Sequence, residues 1–171
     1  REKEKINIDL LTSNYAKSKA IGENFISNSK EIKNKTILRF GIIYSDRIKN
    51  GSAVEDLYYQ VLKKKSVHIN NKESSRRFIH VDDIISGIIK SIGLKGYNVL
   101  NLAGKKDISM KDIIITASKI LNKKVNIIEK NKQIKNISIR KPDISLAKVK
   151  INWKPLIDIK EGLNLIKKQK T

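Results

Sequence analysis

Cysteine is absent from this sequence of 171 residues. Without thiols the chain can form neither disulfides nor thiolate metal sites, and such a composition is typical of a reducing compartment. Histidine is scarce too, because only His68 and His80 occur and they form no cluster in the sequence. The sequence therefore predicts no metal site and favours a cytoplasmic location.

Glycine, proline and long apolar runs are also in short supply. The eight glycines are scattered, and none forms a G-x-G-x-x-G pattern after a strand-like run. That pattern builds the turn in which a helix N-terminus holds the pyrophosphate of a dinucleotide. No stretch approaches the roughly 18 apolar residues of a membrane span, so we expect no membrane association. The two prolines mark no obvious linker.

Acidic residues are outnumbered, with 17 Asp and Glu against 37 Lys and Arg, and the formal net charge is +20. A basic patch is the electrostatic footprint of nucleic-acid binding, because Lys and Arg neutralise phosphates. Here, however, lysine is spread along the chain, arginine is scarce and aromatic residues make up 5%. We therefore predict no specific nucleic-acid partner and keep a basic nucleic-acid-binding protein as a minor alternative. The charge could still attract anionic substrates.

Residues 15–19 read Tyr-Ala-Lys-Ser-Lys, which places a phenol and an ammonium one turn apart on a helix. A tyrosine of ordinary pKa, about 10, is a poor base near neutrality, but a neighbouring cation stabilises a phenolate. Tyr15 and Lys19 are therefore a candidate acid/base pair. A second copy of the pattern joins Tyr59 and Lys63. Because lysine is so frequent, one copy is expected by chance, and the surrounding sequence must decide between them.

The sequence around Tyr15 is that of an α/β unit. Thr12 and Ser13 are candidate N-caps for an amphipathic helix over residues 14–33. Residues 36–44 follow as an apolar, β-branched run, which predicts one buried strand of a parallel sheet. A helix followed by such a strand is half of a doubly wound unit, and this context favours Tyr15 as the functional copy.

Apolar periodicity and caps predict the remaining elements. The expected helices cover residues 53–65, 84–92, 110–121 and 159–168, and the expected strands cover 67–69, 78–81, 97–102 and 125–128. Asp82 and Asp83 are interpreted as caps of the helix that begins at Ile84, rather than as a catalytic dyad. Ser109 is the expected cap of the helix that follows it. With 39% hydrophobic residues, the chain can bury one core but is short for two independent domains.

Further motifs follow the Tyr-x-x-x-Lys pattern in a recognisable order. They are Leu-Arg-Phe-Gly-Ile-Ile-Tyr at residues 38–44, Arg-Arg-Phe-Ile-His-Val-Asp-Asp at 76–83 and Arg-Lys-Pro-Asp-Ile-Ser at 140–145. Together these motifs resemble the extended short-chain dehydrogenases/reductases, in the NAD-dependent epimerase/dehydratase branch that acts on nucleotide sugars. The resemblance implies an α/β fold: the C-terminal part of a Rossmann-like, doubly wound parallel sheet, interleaved with a small α/β substrate-binding lobe.

The resemblance also implies a domain division. Residues 1–44 would end the NAD(P)-binding domain, and 45–171 would mainly form the substrate-binding lobe, with 77–104 returning to the Rossmann sheet. The family's glycine-rich turn has no counterpart upstream of Tyr15, and the family's Ser or Thr partner of the catalytic tyrosine lies farther upstream than the fourteen residues that precede Tyr15 here. We therefore expect the chain to be the C-terminal portion of a longer enzyme and to be inactive alone.

Site residues are assigned by the same resemblance. Tyr15 would be the catalytic acid/base that exchanges a proton with a sugar hydroxyl, while Lys19 would hold the ribose of the nicotinamide and stabilise the phenolate. Both residues would thus also bind the cofactor, NAD or NADP. Phe40 and Gly41, at the end of their strand, would lie against the nicotinamide.

Arginines are the expected ligands of the substrate. Arg76 and Arg140 would bind the diphosphate of a nucleotide sugar, for which the planar guanidinium is well suited. Arg77 stands where the family usually has Asp. His80 is interpreted as a structural residue, and Trp153 as an apolar anchor that follows an Asn in the left-handed conformation.

The expected activity is oxidation and reduction of a sugar hydroxyl by hydride transfer. Epimerisation, dehydration, decarboxylation and simple reduction share this first step and stay open, although the ending at residues 140–145 resembles enzymes of UDP-sugars. The alternative is a non-catalytic remnant or subunit with the same fold. The resemblance further implies a homodimer, formed through the helix of Tyr15 and its neighbour.

Overall fold

The computed structural model describes residues 7–46, 51–72, 74–129 and 139–168. The helices in these ranges are α1 (Asn14–Asn28), α2 (Ala53–Lys63), α3 (Val81–Ser91), α4 (Met110–Leu121), α5 (Ser145–Ile151) and α6 (Ile159–Lys168). The strands are β1 (Lys35–Phe40), β2 (Ile42–Tyr44), β3 (Ser66–Ile69), β4 (Ser75–Arg76), β5 (Phe78–His80), β6 (Tyr97–Leu102), β7 (Ile108–Ser109), β8 (Asn126–Glu129) and β9 (Ile139–Arg140). Helices and strands alternate along the chain, which confirms the predicted α/β class.

Parallel pairing dominates the strands. β1 pairs with β6 over its whole length, from Lys35 opposite Tyr97 to Phe40 opposite Leu102. β2 pairs in parallel with β5, and β3 with β8. Only β7 pairs antiparallel among the described strands, where it lies beside β4. Because β1 and β6 run in the same direction, their carboxyl ends meet at one edge, which is where open α/β sheets bind ligands.

The single strand predicted over residues 36–44 is wrong in one respect, because it is broken at Gly41. The Gly41 N–H still donates to the Leu102 carbonyl of β6 at 2.8 Å, but the chain then leaves β6 and continues beside β5. A Cβ atom at residue 41 would lie 2.5 Å from the Arg77 carbonyl oxygen and 3.0 Å from the Ala103 side chain. Glycine is required here because three segments of main chain converge.

Two clusters of buried side chains hold the elements together. The sheet core packs α3 and α5 against β6, and it consists of Ile79, Ile84, Leu100, Leu102, Ala147, Ile151 and Trp153. The lobe core packs α2, α4 and α6 together. Its buried residues are Tyr44, Val54, Leu57, Tyr58, Val61, Val67, Ile69, Phe78, Ile113, Ile114, Ala117, Leu163 and Ile166. β2 and β5 supply Tyr44 and Phe78 to the lobe core and Ile79 to the sheet core, so this strand pair joins the two.

Helix boundaries confirm several predicted caps and correct others. α4 begins after Ser109, which forms a reciprocal capping box with Asp112, and α1 begins after Ser13, both as predicted. α1 ends at Asn28, before the predicted end, and α5 is a helix that was not predicted. The predicted caps of α3 are wrong: His80 is its N-cap and accepts from the Asp82 N–H at 3.3 Å.

Lysines bind the carbonyl groups that helix C-termini leave unsatisfied. Lys35 donates to Ser27 and Ser29 at 3.0 and 2.5 Å, Lys90 to Asn152 at 2.6 Å, Lys167 to Ile120 at 2.9 Å, and Lys123 to Leu62. Each carbonyl belongs to the end of α1, α5, α4 or α2, where the helix dipole is negative. Part of the large lysine content therefore caps helices. No helix in the described ranges is both long enough and apolar enough to cross a membrane.

Candidate active site

Tyr15 and Lys19 lie on the first turns of α1, as predicted. Ser13 caps the helix by accepting from the Ala16 N–H at 3.5 Å. The Lys19 Nζ atom lies 5.3 Å from the centroid of the Tyr15 ring, within the range of a cation–π contact. Tyr15 is 72% exposed, so its hydroxyl is open to a ligand. The helix thus presents a phenol and an ammonium side by side on an accessible surface.

The direction of α1 carries Tyr15 toward the carboxyl edge of the sheet. Glu23 in α1 binds Arg39 near the end of β1, through Nε at 3.0 and 3.1 Å and Nη2 at 2.6 Å. Lys35, the first residue of β1, contacts the opposite, C-terminal end of α1. The helix therefore runs antiparallel to β1. Tyr15 lies about 12 Å beyond Glu23 along the helix axis, on the side where β1 ends.

The second Tyr-x-x-x-Lys pair has nearly the same internal geometry. Lys63 Nζ lies 5.6 Å from the centroid of the Tyr59 ring. Tyr59, however, stands edge-on to the buried Tyr58 at 6.4 Å, and α2 packs within the lobe core. The two copies do not differ in pair geometry, but they differ in their places in the fold.

Phe40 and Gly41 lie at the carboxyl end of β1, but they differ in what they contact. Phe40 is 45% exposed, so its ring is not buried in either core. Gly41 is held by close main-chain packing against Arg77 and Ala103. The lack of a side chain at residue 41 is thus explained by strand packing, with no ligand needed.

The two arginines predicted to bind diphosphate are brought together. β4 and β9 pair in parallel, and Arg76 is the register partner of Arg140. The Arg76 Nη1 atom also donates to the Ser75 carbonyl at 2.8 Å. Residues 76 and 140 are far apart in sequence, and the register of two short strands makes them neighbours.

Arg77 makes different contacts from Arg76. Its Nε donates to Asp107 Oδ1 at 3.2 Å, and its Nη1 donates to the Pro142 carbonyl at 3.0 Å. Lys141 approaches the other oxygen of Asp107 at 3.2 Å. Sequence reasoning missed Asp107, although an acid just before a strand in an acid-poor chain is a usable signal.

His80 is buried with 1% of its surface exposed, in agreement with its interpretation as a structural residue. Its ring stands edge-on to Tyr44, with centroids 5.3 Å apart. Its Nδ1 accepts from the Asp82 N–H, while its Nε2 has no hydrogen-bond partner among the described residues. In the same ranges no group of three or more His, Asp or Glu is arranged to hold a metal ion.

Glu55 is a second acid that sequence reasoning missed. It is 3% exposed and accepts from the Ser45 N–H at 2.8 Å and from the Ser52 hydroxyl. It thereby ties both sides of the connection between β2 and α2. The spacing Ser-x-x-Glu, a capping-box pattern, could have identified it.

Comparison with known proteins gives sequence relatives that are named as an epimerase or as decarboxylases. UDP-glucuronate 4-epimerase of Thermodesulfobacterium geofontis is 29% identical over 130 residues, covering 75% of this chain and 40% of that protein. UDP-glucuronic acid decarboxylase 3 of Arabidopsis thaliana is 26% identical over 124 residues, covering 70% of this chain and 35% of its own length. The chain thus spans less than half of the curated relatives that it matches. No model of a protein family matches it.

Solved structures agree in fold. UDP-glucuronic acid 4-epimerase of Bacillus cereus, in complex with UDP-glucuronic acid and NAD, matches 97% of this chain and 57% of its own, at 24% identity and a TM-score of 0.77. UDP-glucose 4-epimerase of Thermotoga maritima matches 91% of this chain and 53% of its own, at 20% identity and the same TM-score of 0.77. The Rossmann-like fold is confirmed. The names of the sequence relatives and the shared fold agree with the predicted resemblance to the NAD-dependent epimerase/dehydratase branch of the extended short-chain dehydrogenases/reductases.

Proposed function

We propose that this chain belongs to an enzyme that modifies a UDP-sugar by oxidising and reducing a sugar hydroxyl with NAD or NADP. Relatives named as UDP-glucuronate 4-epimerase and UDP-glucuronic acid decarboxylase support a UDP-sugar carrying a carboxylate. Epimerisation and decarboxylation begin with the same oxidation, so the proposal covers both. The positive charge of the chain favours such a substrate, because the sugar nucleotide carries several negative charges.

The observation that carries the proposal is the register of Arg76 with Arg140. Two guanidinium groups on neighbouring strands can meet a diphosphate with several charge-assisted hydrogen bonds. The pairing of two residues from distant motifs therefore supports a shared anionic ligand.

Tyr15 is proposed to move the proton. Its Oη would take the proton from the sugar hydroxyl during oxidation and return it during reduction. Lys19, one turn away, would stabilise the phenolate and hold the ribose hydroxyls of the cofactor. When bound, the nicotinamide supplies the acceptor and the donor of the hydride.

The residues present fit the nicotinamide end of such a cofactor. The Tyr15 side chain is open to solvent, and the half-exposed Phe40 ring lies at the carboxyl end of β1. Both can contact a ligand at the edge where α/β sheets bind nucleotides. The sequence contains no glycine-rich pyrophosphate turn, so the fit concerns only this end of the cofactor.

Two architectural predictions belong to the proposal. The first is the domain division at residue 44 with a return to the sheet over 77–104, which the pairing of β6 with β1 supports. The second is a homodimer through α1, supported by exposed apolar side chains on that helix, among them Ile21 at 56% and Phe25 at 76% exposure.

The test uses the polypeptide as its native cell makes it, supplied with NAD and UDP-glucuronate. Tyr15→Phe should reduce turnover by about 100-fold or more while cofactor affinity is unchanged. Tyr59→Phe is the matched control, because it removes the same hydroxyl from the second Tyr-x-x-x-Lys pair, and it should keep wild-type turnover. Retained turnover in Tyr15→Phe would refute the assigned role. Absence of any turnover with UDP-sugars in the wild type would refute the proposed substrate class.

A further inference from the structure

Asp107 links the two strands that carry Arg76 and Arg140. Its Oδ1 binds Arg77, the residue after Arg76, and its Oδ2 binds Lys141, the residue after Arg140, each at 3.2 Å. One carboxylate thus holds the chain just beyond β4 and just beyond β9. Asp107 is itself positioned by strand pairing, because the next residue, Ile108, is the antiparallel register partner of Arg76.

This link opposes a local repulsion. Residues 76, 77, 140 and 141 are all cationic, and like charges on neighbouring strands repel. Strands of two residues have few ladder hydrogen bonds with which to resist that repulsion. Asp107 offsets it at the two outer residues, and the Arg77 donation to the Pro142 carbonyl at 3.0 Å adds a second tie between the same segments.

We propose that Asp107 is a positioning residue, which through Arg77 and Lys141 sets the spacing of Arg76 and Arg140 for the diphosphate of a nucleotide sugar. The inference rests on the proposed function for its ligand. It explains why arginine at position 77, where the family usually has Asp, is compatible with the site: Asp107 supplies the compensating carboxylate. Arg77 and Lys141 are then structural partners of Asp107, and the proposed ligand contacts are assigned to residues 76 and 140.

Affinity for UDP, measured by titration calorimetry, tests the inference, because loss of positioning and loss of a negative charge would change the affinity in opposite directions. Asp107→Asn removes a negative charge, so electrostatics alone would strengthen the binding of an anion. Loss of positioning would weaken it, and we expect about tenfold weaker binding, in the range of typical coupling effects. Asp107→Glu, which keeps the carboxylate, should restore most of the affinity. Unchanged or tighter binding by Asp107→Asn would overturn the inference.

Matched controls separate this inference from the proposed function. Glu129→Gln removes the acid of another ion pair, which Glu129 in β8 forms with Lys72, and should leave UDP affinity unchanged. Arg76→Ala tests the diphosphate site itself. If the wild type binds UDP and Arg76→Ala does not, while Asp107→Asn binds normally, the site stands and the inference fails. If the wild type does not bind UDP, the proposed diphosphate site fails, and with it the ligand of this inference.

A second measurement tests the positioning without a ligand. Because the chain has no cysteine, Arg76→Cys combined with Arg140→Cys introduces one pair of thiols at neighbouring strand positions, within reach of a disulfide. We expect disulfide formation to slow several-fold when Asp107→Asn is added, and to be unaffected by Glu129→Gln. Should Asp107→Asn fail to fold, Lys141→Met removes one tie only and should slow the reaction in the same direction. An unchanged rate in a folded variant would contradict the positioning role.

Discussion

Trp153 donates its indole N–H to the main-chain carbonyl of Asp83 at 3.0 Å. The carboxylate of the same Asp83 accepts from the Leu156 and Ile157 N–H groups at 2.9 and 3.0 Å. Asp83 is 3% exposed and Trp153 is 1% exposed. One buried aspartate therefore fastens the segment that leads from α5, in the sheet core, to α6, in the lobe core.

Replacement of Asp83 should destabilise the protein strongly. Asp83→Asn would set an amide N–H₂ group against a main-chain N–H and leave a buried donor unsatisfied. We expect the free energy of unfolding to fall by about 2–3 kcal/mol, measured by urea denaturation. Asp82→Asn is the control, because its side chain is 65% exposed, and a change within about 0.5 kcal/mol is expected. Equal losses for the two variants would contradict the role assigned to Asp83.

Two glycines in helices should respond to alanine with opposite signs. A Cβ atom at Gly162 in α6 would overlap the phenol ring of Tyr44, whereas at Gly22 in α1 nothing lies within 4 Å. Gly162→Ala should therefore cost about 1–3 kcal/mol through overpacking. Gly22→Ala should gain about 0.5–1 kcal/mol, because alanine is the better helix former.

Thermal or urea unfolding of the two variants gives the comparison directly. Each change adds one methyl group within a helix, so the pair isolates the effect of the surroundings. Stabilisation of both variants would contradict the close packing of α6 against Tyr44. Destabilisation of both would contradict the finding that the space around Gly22 is open.

The sequence predicted the ends of those helices that are determined by residues at or near the ends themselves. α4 begins after Ser109 because that side chain and Asp112 satisfy each other, and α6 spans 159–168 as predicted. Position 152 adopts the predicted left-handed conformation, with φ of 45°, and Trp153 is buried as an anchor. The capping box of α4 depends on local contacts, the left-handed conformation depends on the preference of Asn152 itself, and the burial of Trp153 follows from its large apolar side chain.

Features that depend on distant contacts could not be predicted in the same way. The break at Gly41 results from main chain at Arg77 and Ala103, and no pattern near residue 41 reports those neighbours. Asp83 looked like a helix cap because it follows a strand and precedes a helix, yet its partners are 73 and 74 residues away. The candidate site shows both cases. Tyr15 and Lys19 are readable as a local pattern, whereas the register of Arg76 with Arg140 comes only from the fold.

Tyr44 should make stability sensitive to alkaline pH. It is 2% exposed and donates to the Asp158 carbonyl at 3.1 Å. Burial in the first place, and then the charges of Asp83, Asp158 and nearby glutamates, raise the pKa of Tyr44 well above its ordinary value, because each of these disfavours the phenolate. In the unfolded chain the same phenol titrates near pH 10.

The sign of the effect follows from this difference. Below about pH 10 the phenol is protonated in both states, and the stabilising contribution of the neutral buried group is fully present. Above that pH the unfolded state loses the proton while the folded state keeps it. The free energy of unfolding should then fall by about 1.4 kcal/mol per pH unit on account of this one group, until the folded state also ionises.

Comparison with Tyr44→Phe isolates that contribution from the many lysines that titrate in the same range, because they are common to both proteins. At neutral pH the variant should be less stable by about 1 kcal/mol, since it lacks the hydrogen bond to Asp158. As the pH rises past about 10, the wild type should lose stability faster, and the two curves of unfolding free energy against pH should converge. Parallel curves from pH 8 to 11 would mean that Tyr44 titrates alike in the folded and unfolded states and is not held neutral by its surroundings. Convergence would identify this buried phenol, in the strand pair between the two cores, as a source of instability at alkaline pH.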